Sequence, residues 1–376
     1  MNDITIDKTG WKKWRFDEVC RQVNTSSKDP VADGLEHVIG LEHIEPGNLH
    51  ITKWDTLEKE TTFTRKFVKG QVLFGRRRAY QRKVAYAEFD GICSGDILVF
   101  EAIEENLLPE LLPFLIQSDG FFEKALATSA GSLSPRTKFK ELADYEFLLP
   151  PKAEQKRLAE LLWAADELVE KEKREREKVE MYKTSVSDDF FKTIESSKPI
   201  KSFGNVFTGS TPSTKISEFW NGEYPFLTPT EINNTLEPQT ASRFVTFEGL
   251  KASRKISKGD VLVTCVGEIG RITIASQKCC ANQQINIISP KNTIDSKYLF
   301  YGLKQYKNLL LKATTISVVP ILVKSSFENI QIPDFPINKK ESFVKRMDDI
   351  EQQIERCSLL LEQSQQIKQE LINKVF

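Results

Sequence analysis

The sequence has no run of 18 apolar residues, and its six cysteines include no C-x-x-C pair. The first absence excludes a membrane-spanning helix, and the second leaves neither a zinc-binding pattern nor a disulfide framework. No basic start followed by an apolar stretch opens the chain, so we expect a cytoplasmic protein without a membrane partner. With 376 residues, of which 40% are hydrophobic and 28% charged, the chain can form two or three folding units.

Patterns that carry catalysis are also absent. The chain contains no G-x-x-x-x-G-K-[ST] loop for nucleotide phosphates, no H-E-x-x-H zinc motif, and no N-P-P-Y or D-P-P-Y motif of the kind that adenine methyltransferases need. The three histidines, His37, His43 and His50, are separated by strand and turn sequence and are not expected to converge on a metal ion. We therefore predict no catalytic residue, no metal site and no cofactor bound by this chain.

Charge is balanced overall but unevenly distributed. The 53 basic and 53 acidic residues cancel, yet residues 65–83 contain eight basic residues and no acidic one. Arginine and lysine at this density neutralise phosphates, and arginine or glutamine can contact base edges in the major groove. Because a predicted strand ends at Gly75, residues 76–83 form a basic loop or hairpin, which is either simply solvated or binds nucleic acid.

Two long segments carry apolar residues on alternating steps of three and four, which is the pattern of a heptad helix. Each follows a proline-containing extended sequence, at residues 148–151 and 332–336. About 40 residues at 1.5 Å each give roughly 55 to 60 Å, too long for one 150-residue domain to cover, so the helices should pack on each other as an antiparallel coiled coil. The predicted seam residues are Leu158, Leu162, Ala165, Val169, Val179, Phe343, Met347, Ile350, Ile354, Leu361 and Leu371.

The chain repeats itself once. Residues 67–73 match residues 256–262, and residues 147–150 match residues 330–333. Short apolar runs separated by turn signals predict strands at residues 71–75, 95–100, 259–263 and 284–288. We therefore predict a pseudo-two-fold α+β protein, with two similar domains at residues 1–150 and 196–335 and two spacer helices at residues 151–195 and 336–376.

Polar residues differ between the two halves while the strand framework matches, as expected if two similar scaffolds read two different sequences. Residues 128–138 add a loop with hydroxyls and cations suited to phosphate contacts, whereas the counterpart at residues 314–324 is more apolar. The predicted DNA-binding residues are Arg65, Lys66, Arg76, Arg77, Arg78, Tyr80, Gln81, Arg82, Lys83, Ser132, Arg136, Lys138, Arg254, Lys255, Glu268, Arg271, Asn282 and Gln283.

The order of several segments carries a family resemblance. These segments are VIGLEHIEPG at residues 38–47, KGQVLF at 69–74, LLPPKAEQKRL at 148–158, PFLTP at 225–229, GDVLV at 259–263 and GEIG at 267–270. With the duplicated plan of domain and long helix, the chain resembles a specificity (S) subunit of a type I restriction-modification system. Two departures stand out: the second copy has PDFP at residues 333–336 instead of the Pro-Pro-x-x-Glu-Gln element, and the first copy lacks the GSTP stretch of residues 209–212.

The resemblance implies two target-recognition domains, each reading one half of a split sequence in double-stranded DNA. It also implies that the two helices hold these domains apart and dock two modification (methyltransferase) subunits, which bind S-adenosylmethionine and flip the target adenine. Two restriction subunits would hydrolyse ATP with Mg²⁺ and cleave DNA. This chain would then be the non-catalytic reader.

Two other functions stay open on sequence alone. The chain could be a coiled-coil adaptor that binds proteins and no nucleic acid, or a nuclease or methyltransferase with an unrecognised active site. DNA affinity separates the first from the reader, and a product formed by the pure chain separates the second.

Overall fold

The computed structural model describes residues 6–58, 61–131, 134–193, 196–315 and 319–376. The chain divides into two compact units: unit 1 is Met1–Glu175 with Cys357–Phe376, and unit 2 is Arg176–Arg356. Each unit combines helices with sheets, which confirms the α+β class. None of the described helices is long and apolar enough to cross a membrane. The four predicted domain and spacer segments stay a prediction.

Unit 1 contains short strands, several short helices and one long helix. The strands are β1 (Lys12–Arg15), β2 (Cys20–Val23), β3 (His37–Ile39), β4 (Arg65–Phe67), β5 (Val72–Gly75), β6 (Val84–Tyr86), β7 (Gly91–Cys93), β8 (Ile97–Ala102) and β9 (Glu146–Leu149). The helices are α1 (Phe16–Val19), α2 (Leu112–Gln117), α3 (Asp119–Ala127), α4 (Phe139–Leu142) and α5 (Lys152–Lys192), the last of which continues into unit 2.

Among the described residues, unit 2 has a similar order of elements, with a 3₁₀ turn in the place of α1 and an added helix at Phe247–Lys251. Its strands are β10 (Ser197–Pro199), β11 (Gly204–Thr208), β12 (Trp220–Leu227), β13 (Arg243–Val245), β14 (Val261–Thr264), β15 (Ile272–Ile274), β16 (Cys280–Ala281), β17 (Ile285–Pro290) and β18 (Gln331–Pro333). Its helices are α6 (Phe247–Lys251), α7 (Thr293–Gln305), α8 (Lys307–Lys312), α9 (Lys324–Phe327) and α10 (Ile337–Val375), which continues into unit 1.

The four-stranded and two-stranded sheets of the two units have matching strand orders, whereas the three-stranded sheets differ in their central strand, β7 in unit 1 and β12 in unit 2. Unit 1 has sheets of order β2-β8-β5-β6, β3-β7-β4 and β1-β9, and unit 2 has β11-β17-β14-β15, β13-β12-β16 and β10-β18. In both units the three-stranded sheet contains one parallel pair, β3 with β7 and β12 with β16. The sequence repeat is therefore also a repeat of fold.

Apolar strands supply the core of each unit because their residues are buried on both faces of the sheet. In unit 1, Phe74 on β5 and Phe100 on β8 are fully buried and stack at 5.8 Å between ring centroids, with Phe121 of α3 edge-on to Phe74 at 5.7 Å. In unit 2, Val261 and Val263 of β14 pack in one cluster with residues of α7.

A buried glutamine fixes the start of α5. The helix begins directly after Pro151, because proline restricts the preceding residue to extended backbone but tolerates helix after it. Gln155, 2% exposed, donates to the carbonyl oxygens of Pro150 and Asn106, both at 3.0 Å, and accepts from the Leu108 N–H at 2.8 Å. This contact set gives a physical role to the glutamine of the Pro-Pro-x-x-Glu-Gln element.

The long helices run antiparallel where they pack within each unit. In unit 1, Leu158 and Leu162 near the start of α5 share a core cluster with Leu371 near the end of α10. In unit 2, Phe190 near the end of α5 stacks on Phe343 near the start of α10, with centroids 4.1 Å apart. Most predicted seam residues are buried, and Ala165, Val179 and Ile354 are half-buried.

Candidate nucleic-acid interface

The basic segment of unit 1 forms a compact turn between β5 and β6. Residues 79–81 make one turn of 3₁₀ helix, and the residues that flank it, Arg78 and Arg82, have left-handed backbone with φ of 54° and 52°. The Gly75 N–H donates to the Lys83 carbonyl oxygen at 2.9 Å and closes the turn. The predicted loop is therefore an ordered turn with two unusual backbone positions.

The predicted phosphate loop lies directly beside this turn. Arg77 and Arg136 form an antiparallel bridge, the Arg78 N–H donates to the Pro135 carbonyl oxygen at 2.9 Å, and the Thr137 N–H donates to the Arg76 carbonyl oxygen at 3.1 Å. The structure thus brings together two segments that the sequence singled out separately. Ser132 lies outside the described residues.

Asp96 compensates two of the arginines. Its carboxylate accepts from Arg136 Nε at 2.6 Å and from Arg77 Nη1 at 3.4 Å, and Arg77 also donates to the Ser134 hydroxyl. The hydrogen bond from Arg136 is the largest cause that holds the pKa of Asp96 below its usual value. Arg77 and Arg136 therefore hold the turn in place and have less charge to offer a ligand.

Other cations of the set are also bound within unit 1. Arg82 donates to an Asp119 carboxylate oxygen at 2.5 Å and lies over the Phe122 ring at 4.5 Å. Lys83 donates to the Leu41 carbonyl oxygen at 2.6 Å, and Arg65 donates to the carbonyl oxygen of Ile97. These contacts make the three residues parts of the frame of the turn.

Two arginines of the turn lack such partners among the described residues. Arg76 is half-buried, and its Nε is buried without a hydrogen-bond partner. Burial, followed by the positive charge of Arg65, lowers the pKa of Arg76. Arg78 is exposed and has no described side-chain hydrogen bond, and the Tyr80 side chain beside it is 57% exposed. The turn therefore presents arginine side chains without a hydrogen-bond or ion-pair partner among the described residues, next to an exposed aromatic ring.

The remaining predicted residues of unit 1 differ in exposure. Lys138 is exposed at the end of the second segment, and Lys66 and Gln81 are half-buried.

The equivalent turn of unit 2 repeats several backbone hydrogen bonds of the unit 1 turn, but it is one residue shorter and carries different side chains. It joins β14 to β15; the Gly267 N–H donates to the Pro320 carbonyl oxygen at 3.1 Å, and the Thr264 N–H donates to the Arg271 carbonyl oxygen at 2.9 Å. Val266 and Ile321 form a bridge like that of Arg77 and Arg136. Its left-handed positions are Gly267 and Gly270, with φ of 74° and 79°.

Polar residues surround the turn of unit 2. Glu268 and Arg271 of the turn form an ion pair at 3.5 Å, and the Cys265 N–H donates to the Gln284 carbonyl oxygen at 2.8 Å, which places residues 282–284 beside the turn. Asn282 donates to the side chain of Gln284 at 2.9 Å. The predicted polar residues of the turn and of this segment are therefore neighbours.

A segment that has no match in the first half completes this surface. Arg254 donates to the Thr208 carbonyl oxygen at 2.6 Å, its own N–H donates to the Ser210 hydroxyl, and the Thr211 hydroxyl donates to Gln283 at 2.9 Å. Lys255 is exposed next to Arg254. Ser210 and Thr211 were not among the predicted DNA-binding residues, although they belong to the GSTP stretch that the first half of the chain lacks.

The histidines make separate contacts rather than one site. His37 stacks on Phe89 at 4.0 Å, and His50 bonds to Asp166 and Glu88. Among the described residues, the metal-compatible group is Glu42, His43 and Asp55. His43 Nδ1 accepts the Gly40 N–H at 2.9 Å, so in the neutral ring Nε2 carries the proton and cannot ligate a metal.

Comparisons of the sequence with known proteins point to one family. A family model described as the type I restriction modification DNA specificity domain matches residues 8–181 and again residues 194–367. The type I restriction enzyme MjaIX specificity subunit of Methanocaldococcus jannaschii is 34% identical over 142 residues, which are 36% of this chain and 33% of that protein. The putative MjaX specificity subunit of the same organism is 22% identical over 370 residues, which are 89% of this chain and 84% of that protein. The chain thus spans about a third of the first of these relatives.

Solved structures share the fold. One from a study of assembly and conformational transition of the type I R-M system has a TM-score of 0.63 at 20% identity, covering 98% of this chain and 97% of that one. The type I restriction-modification S subunit from M. genitalium has a TM-score of 0.60 at 14% identity, covering 99% and 98%. With the family model matched twice along the chain, this protein belongs to the type I restriction modification DNA specificity domain family.

Proposed function

We propose that this chain is the DNA sequence-recognition subunit of a type I restriction-modification complex, that it binds a bipartite DNA target, and that it directs adenine methylation and restriction by partner subunits. The observation that carries the proposal is the pair of equivalent turns: the same backbone hydrogen bonds display Arg76, Arg78 and Tyr80 in unit 1 and a different polar set in unit 2. One frame with two side-chain sets suits the reading of two different half-sites.

DNA chemistry fits the charges of the unit 1 turn. Uncompensated arginines gain from phosphate contacts because binding releases counterions, and an exposed fork can make bidentate contacts to a base edge. The internally paired Arg77, Arg82 and Arg136 would fix the orientation of the turn. We therefore expect affinity with a strong salt dependence and specificity from a small number of side chains.

Membership of a specificity-domain family makes the chain a recognition subunit rather than a catalytic one. We propose that two modification subunits bind S-adenosylmethionine and that two restriction subunits bind ATP and Mg²⁺. The chain itself would bind no cofactor and would act on DNA in the cytoplasm. Exposed leucines on the long helices, Leu161, Leu168 and Leu359, provide an apolar surface for protein partners.

The direct test is to assemble the chain with its modification subunits and map the methylated adenines in a DNA library. We expect two specified half-sites separated by unspecified base pairs, and no methylation or cleavage when the chain is incubated alone with DNA, Mg²⁺ and a methyl donor. A product formed by the chain alone would favour the enzyme alternative.

The adaptor alternative has its own test. Replacing Arg76 and Arg78 with alanine removes the uncompensated cations and leaves the arginines that hold the turn in place. We expect the assembled complex to lose DNA affinity roughly tenfold or more at moderate salt, since phosphate contacts and base contacts each contribute to binding. Unchanged affinity in that variant would favour an adaptor that binds no DNA through this surface.

A further inference from the structure

At one position of positive φ the two equivalent turns have different residue types, and the residue of unit 1 has the higher backbone energy. In unit 2 the first left-handed residue is Gly267, and glycine adopts a positive φ readily because it has no Cβ. In unit 1 the same position, defined by an N–H that donates to a proline carbonyl oxygen, is Arg78. Positive φ is uncommon for arginine and strained, so glycine would fit this turn better.

No described contact of the Arg78 side chain within unit 1 offsets the energetic cost of its backbone conformation. Its side chain is exposed and makes no hydrogen bond or ion pair with the described residues. Arg82, the second left-handed arginine, differs because Asp119 and the Phe122 ring hold its guanidinium. Strain kept at a residue with no internal partner indicates a partner outside the chain.

The residues around Arg78 fix its backbone but do not neutralise its guanidinium charge. Its backbone is held on one side by Pro135 and on the other by the 3₁₀ turn, in which the Gln81 N–H donates to the Arg78 carbonyl oxygen at 2.8 Å. The neighbouring carboxylate, Asp96, is occupied by Arg77 and Arg136. An arginine with a fixed backbone and an unpaired guanidinium group can donate two hydrogen bonds to the acceptors O6 and N7 of guanine.

We propose that Arg78 is a specificity-determining residue that reads one base pair in the half-site bound by unit 1, whereas Arg77, Arg82 and Arg136 position the turn. This inference rests on the proposed function. It assigns readout and positioning to different arginines of a cluster that the sequence treats as equivalent.

The test uses the complex assembled with its modification subunits, wild type and Arg78→Gly, in competition binding against duplexes randomised one half-site at a time. We expect Arg78→Gly to lower the preference at one base pair of one half-site roughly tenfold to hundredfold. The other half-site should keep its preferences. The melting temperature should not fall, because glycine relieves the strained backbone.

A lysine variant separates base reading from charge. Arg78→Lys keeps the positive charge but loses the fork, so the same base preference should fall while the salt dependence of affinity stays that of the wild type. Lys53→Gly, which removes an exposed cation that lies outside the helices and strands of unit 1, is the control and should keep every preference.

Two results would overturn the inference while leaving the proposed function intact. One is that Arg78→Gly retains all base preferences. The other is that it weakens binding to every sequence equally with a shallower salt dependence, which is the behaviour of a phosphate contact. A wild-type complex without any sequence preference would instead overturn the proposed function, and this inference with it.

Discussion

His50 joins three separate parts of unit 1 through one buried carboxylate. Its Nε2 bonds to Asp166 of α5 at 2.9 Å and its Nδ1 bonds to Glu88 at 3.0 Å, while Lys368 of α10 bonds to the other Asp166 oxygen. The hydrogen bond with Asp166 is the largest cause that raises the pKa of His50 to about 9. Burial pushes the pKa of Asp166 up, but His50 and Lys368 outweigh it and the pKa is lowered.

This cluster predicts a pH dependence of stability. Because the folded pKa of His50 lies above its unfolded value of about 6.5, its stabilisation is fully present below pH 6.5 and is lost as the pH rises through 9. We expect His50→Gln to lower the free energy of unfolding of unit 1 by about 2 kcal/mol at pH 6 and by much less near pH 9.5. Urea denaturation at several pH values measures the difference.

His37→Gln is the control for that experiment, because the His37 Nδ1 lies against a backbone oxygen of Asp90 rather than a carboxylate. A wild-type protein and a His50→Gln variant with the same change of stability between pH 6 and 9.5 would contradict the assigned role of His50.

For single residues, burial could be predicted from the sequence, whereas tertiary pairing and backbone conformation could not. Apolar spacing predicts the burial of Leu162 and Met347, both fully buried, because helix period is a local property. The pairing of Asp96 with Arg77 and Arg136 depends on tertiary geometry between distant segments and leaves no mark in the pattern. The positive φ of Arg78 was equally hidden, since arginine normally avoids that region.

Two adjacent leucines of α5 are expected to have different roles, one in stability and one in binding. Leu162 of α5 is fully buried in the core cluster of unit 1, and its neighbour Leu161 is 45% exposed. We expect Leu162→Ala to cost about 2 to 5 kcal/mol of unfolding free energy because it leaves a cavity. Leu161→Ala should cost less than about 0.5 kcal/mol. Equal losses in denaturant titrations would contradict the predicted seam.

The exposed leucines of α5 predict a partner surface. Leu161 and Leu168 lie one heptad apart, so they share a face of the helix. We expect the double variant Leu161→Glu with Leu168→Glu to lose at least tenfold in affinity for the modification subunits without a lower melting temperature, because charges replace apolar contact area.

Leu126→Glu is the matched control for this surface, since Leu126 is similarly exposed but lies on a different helix, α3. Pull-down with purified modification subunits measures the effect. Retained binding in the double variant, or an equal loss in the control, would remove α5 as a docking surface.

At the scale of the whole molecule, the two long helices are the elements that belong to both units. The 41 residues of α5 correspond to about 60 Å at 1.5 Å per residue. Inserting one heptad into α5 near Arg176 and one into α10 near Arg356 keeps the seam in phase and adds about 10 Å. We expect the gap between the two half-sites to grow by about three base pairs at 3.4 Å each.

Methylation mapping of the lengthened complex checks this prediction, and the bases of each half-site should stay the same. A gap that does not change would exclude the helices as the determinant of half-site spacing.

Much of the domain plan could be predicted because the same sequence pattern occurs in both halves of the chain. The strand at residues 71–75 is matched by the one at residues 259–263, and both appear, as β5 and β14. The short strands β3 and β4 were not predicted, since three residues hold too little periodicity to stand out. The surface of unit 2 was only partly predicted, because Ser210 and Thr211 have no counterpart in the first half.

The frame of the recognition turn rests on main-chain atoms. Proline carbonyl oxygens, Pro135 in one unit and Pro320 in the other, accept the equivalent N–H groups whichever side chain the donor residue carries, Arg78 in unit 1 and Gly267 in unit 2. A mutation in such a loop can alter what it displays without unfolding it. Under the proposed function, a host could acquire a new target through a handful of codon changes in one gene, and every enzyme that follows this subunit would change its target at the same moment.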